Sequence, residues 1–264
     1  MKIGILSKRT GFITGKLKNY FENDGHEVKI YTKENLCINS SLFENDLYIL
    51  KSKSLFFQYA GLYIEKHGIP VIPNLEITRR HKNRIEADLL IKEAGLLSPE
   101  FYYGTVEAIK KSLDETKFPL ILKPLSGSGS KGVRIINSAN DLKESNSQVI
   151  YLQKFIEGIH LNVYFIGNEI CALEKPPMSN EHVEMQLLPL NEDIKEIISN
   201  WVDTHNILFG HLDIIREKST NRLYVIDPGS FPVFDNWKCG GDPVDKIGRI
   251  ILEKYYEITN YHKF

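Results

Sequence analysis

Apolar and polar positions alternate in short blocks over the first ~75 residues. Ile3-Gly4-Ile5-Leu6 is a short apolar run of the kind that fills a buried strand. Leu17, Tyr20 and Phe21 recur at helical spacing between Gly15 and Asn23, and Asp24-Gly25 stops that helix. Glu27-Val28-Lys29-Ile30-Tyr31 alternates as a second strand, and Leu47-Tyr48-Ile49-Leu50 is a third. The spacing from Phe56 to His67 predicts a helix ended by Gly68, and Pro70-Val71-Ile72-Pro73 a short fourth strand. Strand–helix alternation of this kind predicts a small parallel sheet with helical crossovers.

Downstream the pattern changes. One helix is predicted from about Arg79 to Glu93, closed by Gly95 and followed by Pro99. Phe101-Tyr102-Tyr103, a helix near Val106 to Leu113, and the strand Leu120-Ile121-Leu122-Lys123 follow. A Gly/Ser loop, Ser126 to Gly132, leads into Val133-Arg134-Ile135-Ile136. Further strands are predicted at Val149–Leu152, at Asn162–Ile166 and around Asp213 and Asp227. Helices are predicted from Glu192 to His205 and, with an amphipathic pattern, from Val244 to Tyr256. The chain holds no internal repeat or low-complexity linker.

The 264 residues suit one large domain or two small ones, and 42% hydrophobic with 25% charged residues argues against wholesale disorder. Lys+Arg number 33 against 34 Asp+Glu, so charge balance makes no case for nucleic acid or an anionic membrane as partner. No apolar run reaches the ~18 residues of a membrane span, and the apolar start is too short for a signal peptide. A cytoplasmic protein is expected. Cys37, Cys171 and Cys239 lie far apart without a Cys-x-x-Cys pair, so three reduced thiols are expected rather than a disulfide or a zinc site.

Two segments carry candidate chemistry. Gly127-Ser128-Gly129-Ser130-Lys131-Gly132 matches Gly-x-Gly-x-x-Gly, but a strand follows it rather than the helix a dinucleotide-binding loop opens. A Walker A loop is excluded by spacing, and a protein kinase by the lack of His-Arg-Asp and Asp-Phe-Gly. What remains is a hairpin loop whose free backbone N–H groups can close over a polyphosphate, or simply a flexible hairpin tip. Lys123 and Lys131 add compact positive charges for phosphate oxygens. Further on, two strands flank a polar turn centred near Thr220, which sets Asp213 opposite Asp227 on one face. A divalent cation between them relieves their repulsion; Asp227-Pro228-Gly229 as turn chemistry is the alternative. His160, His205 and His211 lack a metal-binding spacing and are expected to be structural, as are Trp201 and Trp237.

In order along the chain, phosphate flap, hinge strand and acidic hairpin resemble the ATP-grasp superfamily, and in particular its RimK-like amino-acid ligases. The resemblance implies an α/β fold, α+β in the C-terminal part: an ATP-grasp fold behind an N-terminal Rossmann-like pre-ATP-grasp domain. Residues 1–78 would form that first domain and 79–264 the ATP-grasp domain, divided into 79–152 and 153–264. It implies that ATP meets Arg84, Lys123, the flap residues Ser128, Gly129, Ser130 and Lys131, and the hinge Gln153, Lys154, Phe155 and Ile156. It also implies that Asp213 and Asp227 hold Mg²⁺, with Mn²⁺ as an alternative, and that Lys175 and Arg216 face an anionic substrate. A regular strand turns Arg216 away from Asp213, which counts against Arg216.

Three positions depart from the family pattern: Gly229 replaces its usual Asn, His160-Leu161-Asn162 its Asp-x-Arg, and Gly210-His211-Leu212-Asp213 is one residue longer than its Gly-x-Asp. Phe231-Pro232 instead echoes the ATP-grasp inositol phosphate kinases, as does Leu6-Ser7-Lys8-Arg9. The expected activity is an ATP-dependent carboxylate–amine ligase working through an acyl phosphate. A small-molecule kinase and a non-catalytic nucleotide-binding protein are the alternatives. Partners are expected to be small-molecule substrates, with no nucleic acid or membrane and with a homo-oligomer left open.

Overall fold

Three sheets carry the chain, and each is built for a different kind of burial. The computed structural model describes residues 1–125, 132–142, 149–175 and 184–261. The first sheet holds β1 (Lys2–Leu6), β2 (Glu27–Tyr31), β3 (Leu47–Leu50) and β4 (Val71–Ile72), all parallel in the order β2-β1-β3-β4. Its crossovers include α1 (Phe12–Asn23) and α2 (Leu55–Glu65). β3 is buried along its whole length, which is why it reads as an unbroken apolar run. Gly4 pairs with Tyr48, and the Tyr48 ring fills the space above Gly4 where a side chain would stand.

The predicted single helix from Arg79 to Glu93 is two helices, α3 (Leu75–Arg80) and α4 (Arg84–Glu93). Asn83 breaks it by accepting the Ile85 N–H with its side chain at 2.9 Å, an N-cap that competes with helix continuation. The break matters because it puts Arg84 in the first turn of α4. The expected division at residue 78 falls inside α3.

The second sheet is antiparallel, with β5 (Phe101–Thr105), β6 (Leu120–Lys123), β7 (Arg134–Ile136) and β8 (Val149–Lys154) in the order β5-β8-β6-β7. α5 (Val106–Ser112) covers it and contributes Val106 and Ile109 to a small core. The third sheet is also antiparallel. It orders β11 (Gln186–Leu187), β10 (Glu169–Lys175), β9 (Gly158–Ile166), β12 (Phe209–Glu217) and β13 (Leu223–Gly229) as β11-β10-β9-β12-β13. α6 (Glu192–His205) lays Ile194, Ile198 and Trp201 against Leu161, Val163, Phe165, Leu212 and Ile214 on one face. Each such buried side chain contributes roughly 1.5–3 kcal/mol, so this layer holds the strands of the acidic hairpin firmly.

Near its other end the third sheet shares a core with the first. Ile3, Ile5, Leu47 and Ile49 pack in one cluster with Tyr164, Ile166, Cys171, Leu173 and Phe209, and α7 (Pro243–Tyr261) adds Val244, Ile247 and Ile251. The carboxyl edge of the parallel sheet is thereby held against the acidic hairpin. The expectation of three reduced thiols is corrected for two of them. Cys171 in β10 and Cys239 in the loop before α7 form a disulfide with Cα atoms 5.6 Å apart, while Cys37 is free and exposed. Sixty-eight residues separate the pair in sequence, but the loop after β13 folds Phe231 and Phe234 into the core that contains Cys171. No described helix is long and apolar enough to cross a membrane.

Gly4→Ala drives a Cβ to about 2.2 Å from Tyr48 Cε1. Tyr48 cannot swing aside freely, because its hydroxyl donates to Leu42 O and accepts from Asn45 Nδ2, both at 2.7 Å. Overpacking of this kind costs about 1–3 kcal/mol, and urea unfolding of Gly4→Ala is expected to show a loss in that range at an unchanged slope.

Candidate active site

The site grows from a register. On the face of the third sheet away from α6, Asp213 stands between Asn162 on β9 and Asp227 on β13. The outer part of the hairpin pairs Ile214 with Val225 and Arg216 with Leu223. Continued inward, that register would set Ile226 opposite Asp213. A bulge between Asp213 and Ile214 absorbs one residue and makes Asp227 the partner. A turn centred on Thr220 gives the right pair for an incomplete reason, since the bulge does the final alignment.

Two like charges ~5 Å apart repel by about 3 kcal/mol at an effective dielectric near 20. Cations offset this on both sides. Lys175 Nζ lies 3.5 Å from Asp213 Oδ2, and Arg84 reaches Asp227 Oδ1 at 3.4 Å. Asn162 Nδ2 donates to Asp213 Oδ1 at 2.9 Å. Arg84 is held from behind by Pro124 O, which accepts its Nε–H at 2.8 Å.

Lys123 comes from the end of β6 in the second sheet and is buried, donating to Gln153 Oε1 at 2.6 Å. Burial, with the Arg84 charge added, pulls its ammonium down to about 8, while Asp227 and Asp213 pull the other way. Incoming negative charge restores the cation, which makes the site receptive to an anion.

Arg84, Lys123, Gln153, Lys175, Asp213 and Asp227 are therefore gathered in one place. Arg216 is not among them. It lies on the opposite face and pairs with Asp193 of α6 at 2.7 Å. Lys154 is exposed at the end of β8, and Ile156 is buried beyond it. The Lys154 and Phe155 N–H groups donate to Glu100 O and Pro119 O. Ile156 N–H has no acceptor among the described residues. Ser128, Gly129, Ser130 and Lys131 lie outside the described residues. The stems of their loop meet: Gly132, at φ +77°, would bring a Cβ within 3.3 Å of Pro124.

Gly229 is occupied space rather than a vacancy. It pairs with His211, and a Cβ on Gly229 would stand 1.9 Å from His211 Cε1. The imidazole fills the volume that an Asn at 229 needs. His211 is pushed toward its neutral form by burial, and its Nδ1 is buried without a hydrogen-bond partner among the described residues. No third His, Cys, Asp or Glu joins the two aspartates in a metal-holding group among the described residues. The donor set still fits magnesium, which takes one or two carboxylates and completes its shell with water and phosphate oxygens. Asn162 Oδ1, buried beside Asp213 and without a partner among the described residues, is a further oxygen at the same place.

Sequence patterns did not point to Asn162 as a neighbour of the aspartates, nor to Lys51, Lys53 and His81. Lys51-Ser52-Lys53-Ser54 directly after a buried parallel strand was the available signal.

The ATP-grasp domain family matches residues 82–183. The formate-dependent phosphoribosylglycinamide formyltransferase of Prochlorococcus marinus (strain MIT 9312) is 33% identical over 157 residues, 54% of this chain and 39% of that protein. The chain thus spans about two fifths of that relative's length. Among solved structures, a RimK domain ATP-grasp protein from Sphaerobacter thermophilus superposes with TM-score 0.78 at 13% identity, covering 96% of this chain and all of that one. The ATP-grasp ligase PsnB, bound to a minimal precursor, Mg and ADP, superposes with TM-score 0.69 at 14% identity over 96% of this chain and 98% of its own. The chain has the ATP-grasp fold, and its residues 82–183 match the ATP-grasp domain family.

If the His211 ring and an Asn at 229 compete for one volume, their substitutions must couple. Gly229→Asn alone is expected to lower stability by more than about 1 kcal/mol, and adding His211→Ala to recover part of that loss, as read by urea unfolding. Strict additivity of the two changes would mean that the ring does not hold that space.

Proposed function

We propose that the chain is an ATP-dependent carboxylate–amine ligase. The triphosphate lies between the second and third sheets, and a divalent cation sits on Asp213 and Asp227. The observation that supports this most is the register-paired carboxylates facing Arg84, Lys123 and Lys175. PsnB, a ligase of the same fold, is bound to Mg and ADP. The relative in Prochlorococcus marinus depends on formate, itself a carboxylate.

Lys123 and Arg84 hold phosphate oxygens and draw negative charge away from the phosphorus under attack. A divalent cation there supplies further neutralisation at the phosphate oxygens; magnesium suits the two carboxylates, and manganese is the alternative. Lys175, tethered to Asp213, orients the anionic substrate. A substrate carboxylate oxygen bonds to the γ-phosphorus, and ADP leaves with the electrons of the broken P–O bond. The amine nitrogen of the second substrate then bonds to the acyl carbon. The C–O bond to phosphate breaks, phosphate leaves, and the nitrogen gives up a proton. Residues 79–264 would carry the nucleotide, and residues 1–78 the side on which the other substrate enters.

Phosphoryl transfer to a hydroxyl is the second reading. Phe231-Pro232 after β13 and the cationic loop after β3 favour it.

Product analysis over small carboxylates and amines separates the classes. Ligation releases ADP and phosphate only when both co-substrates are present, whereas a kinase leaves phosphate on its acceptor. Lys123→Ala is expected to weaken ATP binding on the order of tenfold. Asp227→Asn is expected to lower magnesium-dependent turnover by about 10²-fold or more. Unchanged ATP affinity and unchanged turnover in both variants would contradict the site, and a folded chain that binds ATP without turnover would contradict catalysis.

A further inference from the structure

We infer that Lys51, Lys53 and Lys82 form a second cationic subsite at the carboxyl edge of the first sheet, beside Asp227, that takes a dianionic group of the substrate: a phosphate monoester or a pair of carboxylates. This rests on the proposed nucleotide site and names the class of molecule that meets ATP there.

The position follows from topology. In the order β2-β1-β3-β4, the chain winds from β1 to one side and continues from β3 on the other. The crevice at the carboxyl ends of two such strands is where parallel sheets bind ligands. Here the loop after β3 is fixed against β1, since the Lys51 and Ser52 N–H groups both donate to Leu6 O at 3.0 Å. Gln58 Nε2 donates to Lys53 O at 2.7 Å and holds the far end of the loop.

That loop reaches the acidic hairpin directly. Lys51 Nζ donates to Phe231 O at 2.7 Å, two residues past the end of β13. Burial pulls the Lys53 ammonium down, the Asp227 charge opposes that and the Lys82 charge adds to it. Lys82 sits in the break between α3 and α4, two residues before Arg84. Among the described residues, none of these three lysines has a salt-bridge partner within 4.0 Å. Buried polar groups beside them are also unsatisfied. His81 is 7% exposed, stacks on Trp201, and has no hydrogen-bond partner at either ring nitrogen among the described residues; burial and then the Lys53 charge push it toward its neutral form. Ser230, 1% exposed and next to Phe231, has a hydroxyl with no partner among the described residues.

Charge sets the class of ligand. Among the described residues, Arg84, Lys123 and Lys175 with the three lysines here make six cations around two carboxylates. ATP with one magnesium ion carries two net negative charges, which leaves two positive charges over. A neutral acceptor leaves them unmatched, and a dianion matches both. Burial and the neighbouring Lys53 charge also pull Lys51 down to about 8, and an arriving anion reverses that loss.

Calorimetric titration of the full chain, with MgADP present, tests the subsite with inorganic phosphate, succinate and acetate as probes. Phosphate or succinate is expected to bind at least tenfold more tightly than acetate, and whichever leads identifies the group. Lys53→Ala is expected to lose that preference, and Lys53→Arg to restore most of it. Equal affinity for the three probes overturns the subsite, as does a dianion preference unchanged in both Lys53→Ala and Lys51→Gln. MgADP binding, measured in the same series with Lys123→Ala as its control, reports separately on the nucleotide site.

Discussion

Two carboxylates held side by side on neighbouring strands are costly unless something positive comes between or around them. The chain accepts that cost at Asp213 and Asp227, and much of the surrounding structure answers it. Lys175 and Arg84 flank the pair, Asn162 donates to one member, and buried Lys123 approaches from another sheet. Two of these groups are anchored by something with no charge of its own: Pro124 O for Arg84, Gln153 for Lys123. The cluster is polar and preorganised, so a bound anion meets oriented charges rather than charges that must first be gathered.

Rigid layers make this arrangement durable. Trp201 and its neighbours on α6 press on the back of β9 and β12, while the first sheet closes on the other face through Tyr164, Leu173 and Phe209. The acidic pair thus sits where one sheet is clamped from both sides. The His211 ring shows how far local packing adapts: it fills the volume beside Gly229 that an Asn side chain would need.

Much of this was legible in sequence because it depends on short-range pattern. Strand–helix alternation predicted the parallel sheet, Glu192–His205 matches α6 end to end, and the polar turn near Thr220 pointed to the Asp213–Asp227 pairing. What escaped depends on space rather than spacing. Asn83 splits a continuous apolar periodicity by a side-chain hydrogen bond that no hydrophobic pattern reports. β10 was not anticipated, although Cys171-Ala172-Leu173 is fully buried, because the run is short and flanked by charges. The Cys171–Cys239 pairing and the approach of Lys51 to Phe231 join residues 68 and 180 positions apart, distances at which one sequence carries no pairing signal. Arg216 illustrates the converse: its alternation along β12 already pointed it away from Asp213, and Asp193 receives it.

The central claim is that the acids and cations enclose one metal-loaded triphosphate. Binding of a non-hydrolysable ATP analogue to the wild-type chain, titrated with and without magnesium, tests it most directly. The account predicts binding that magnesium strengthens at least tenfold, because the ion relieves the repulsion between Asp213, Asp227 and the phosphates. Binding that is indifferent to magnesium, or no binding in either condition, would contradict it.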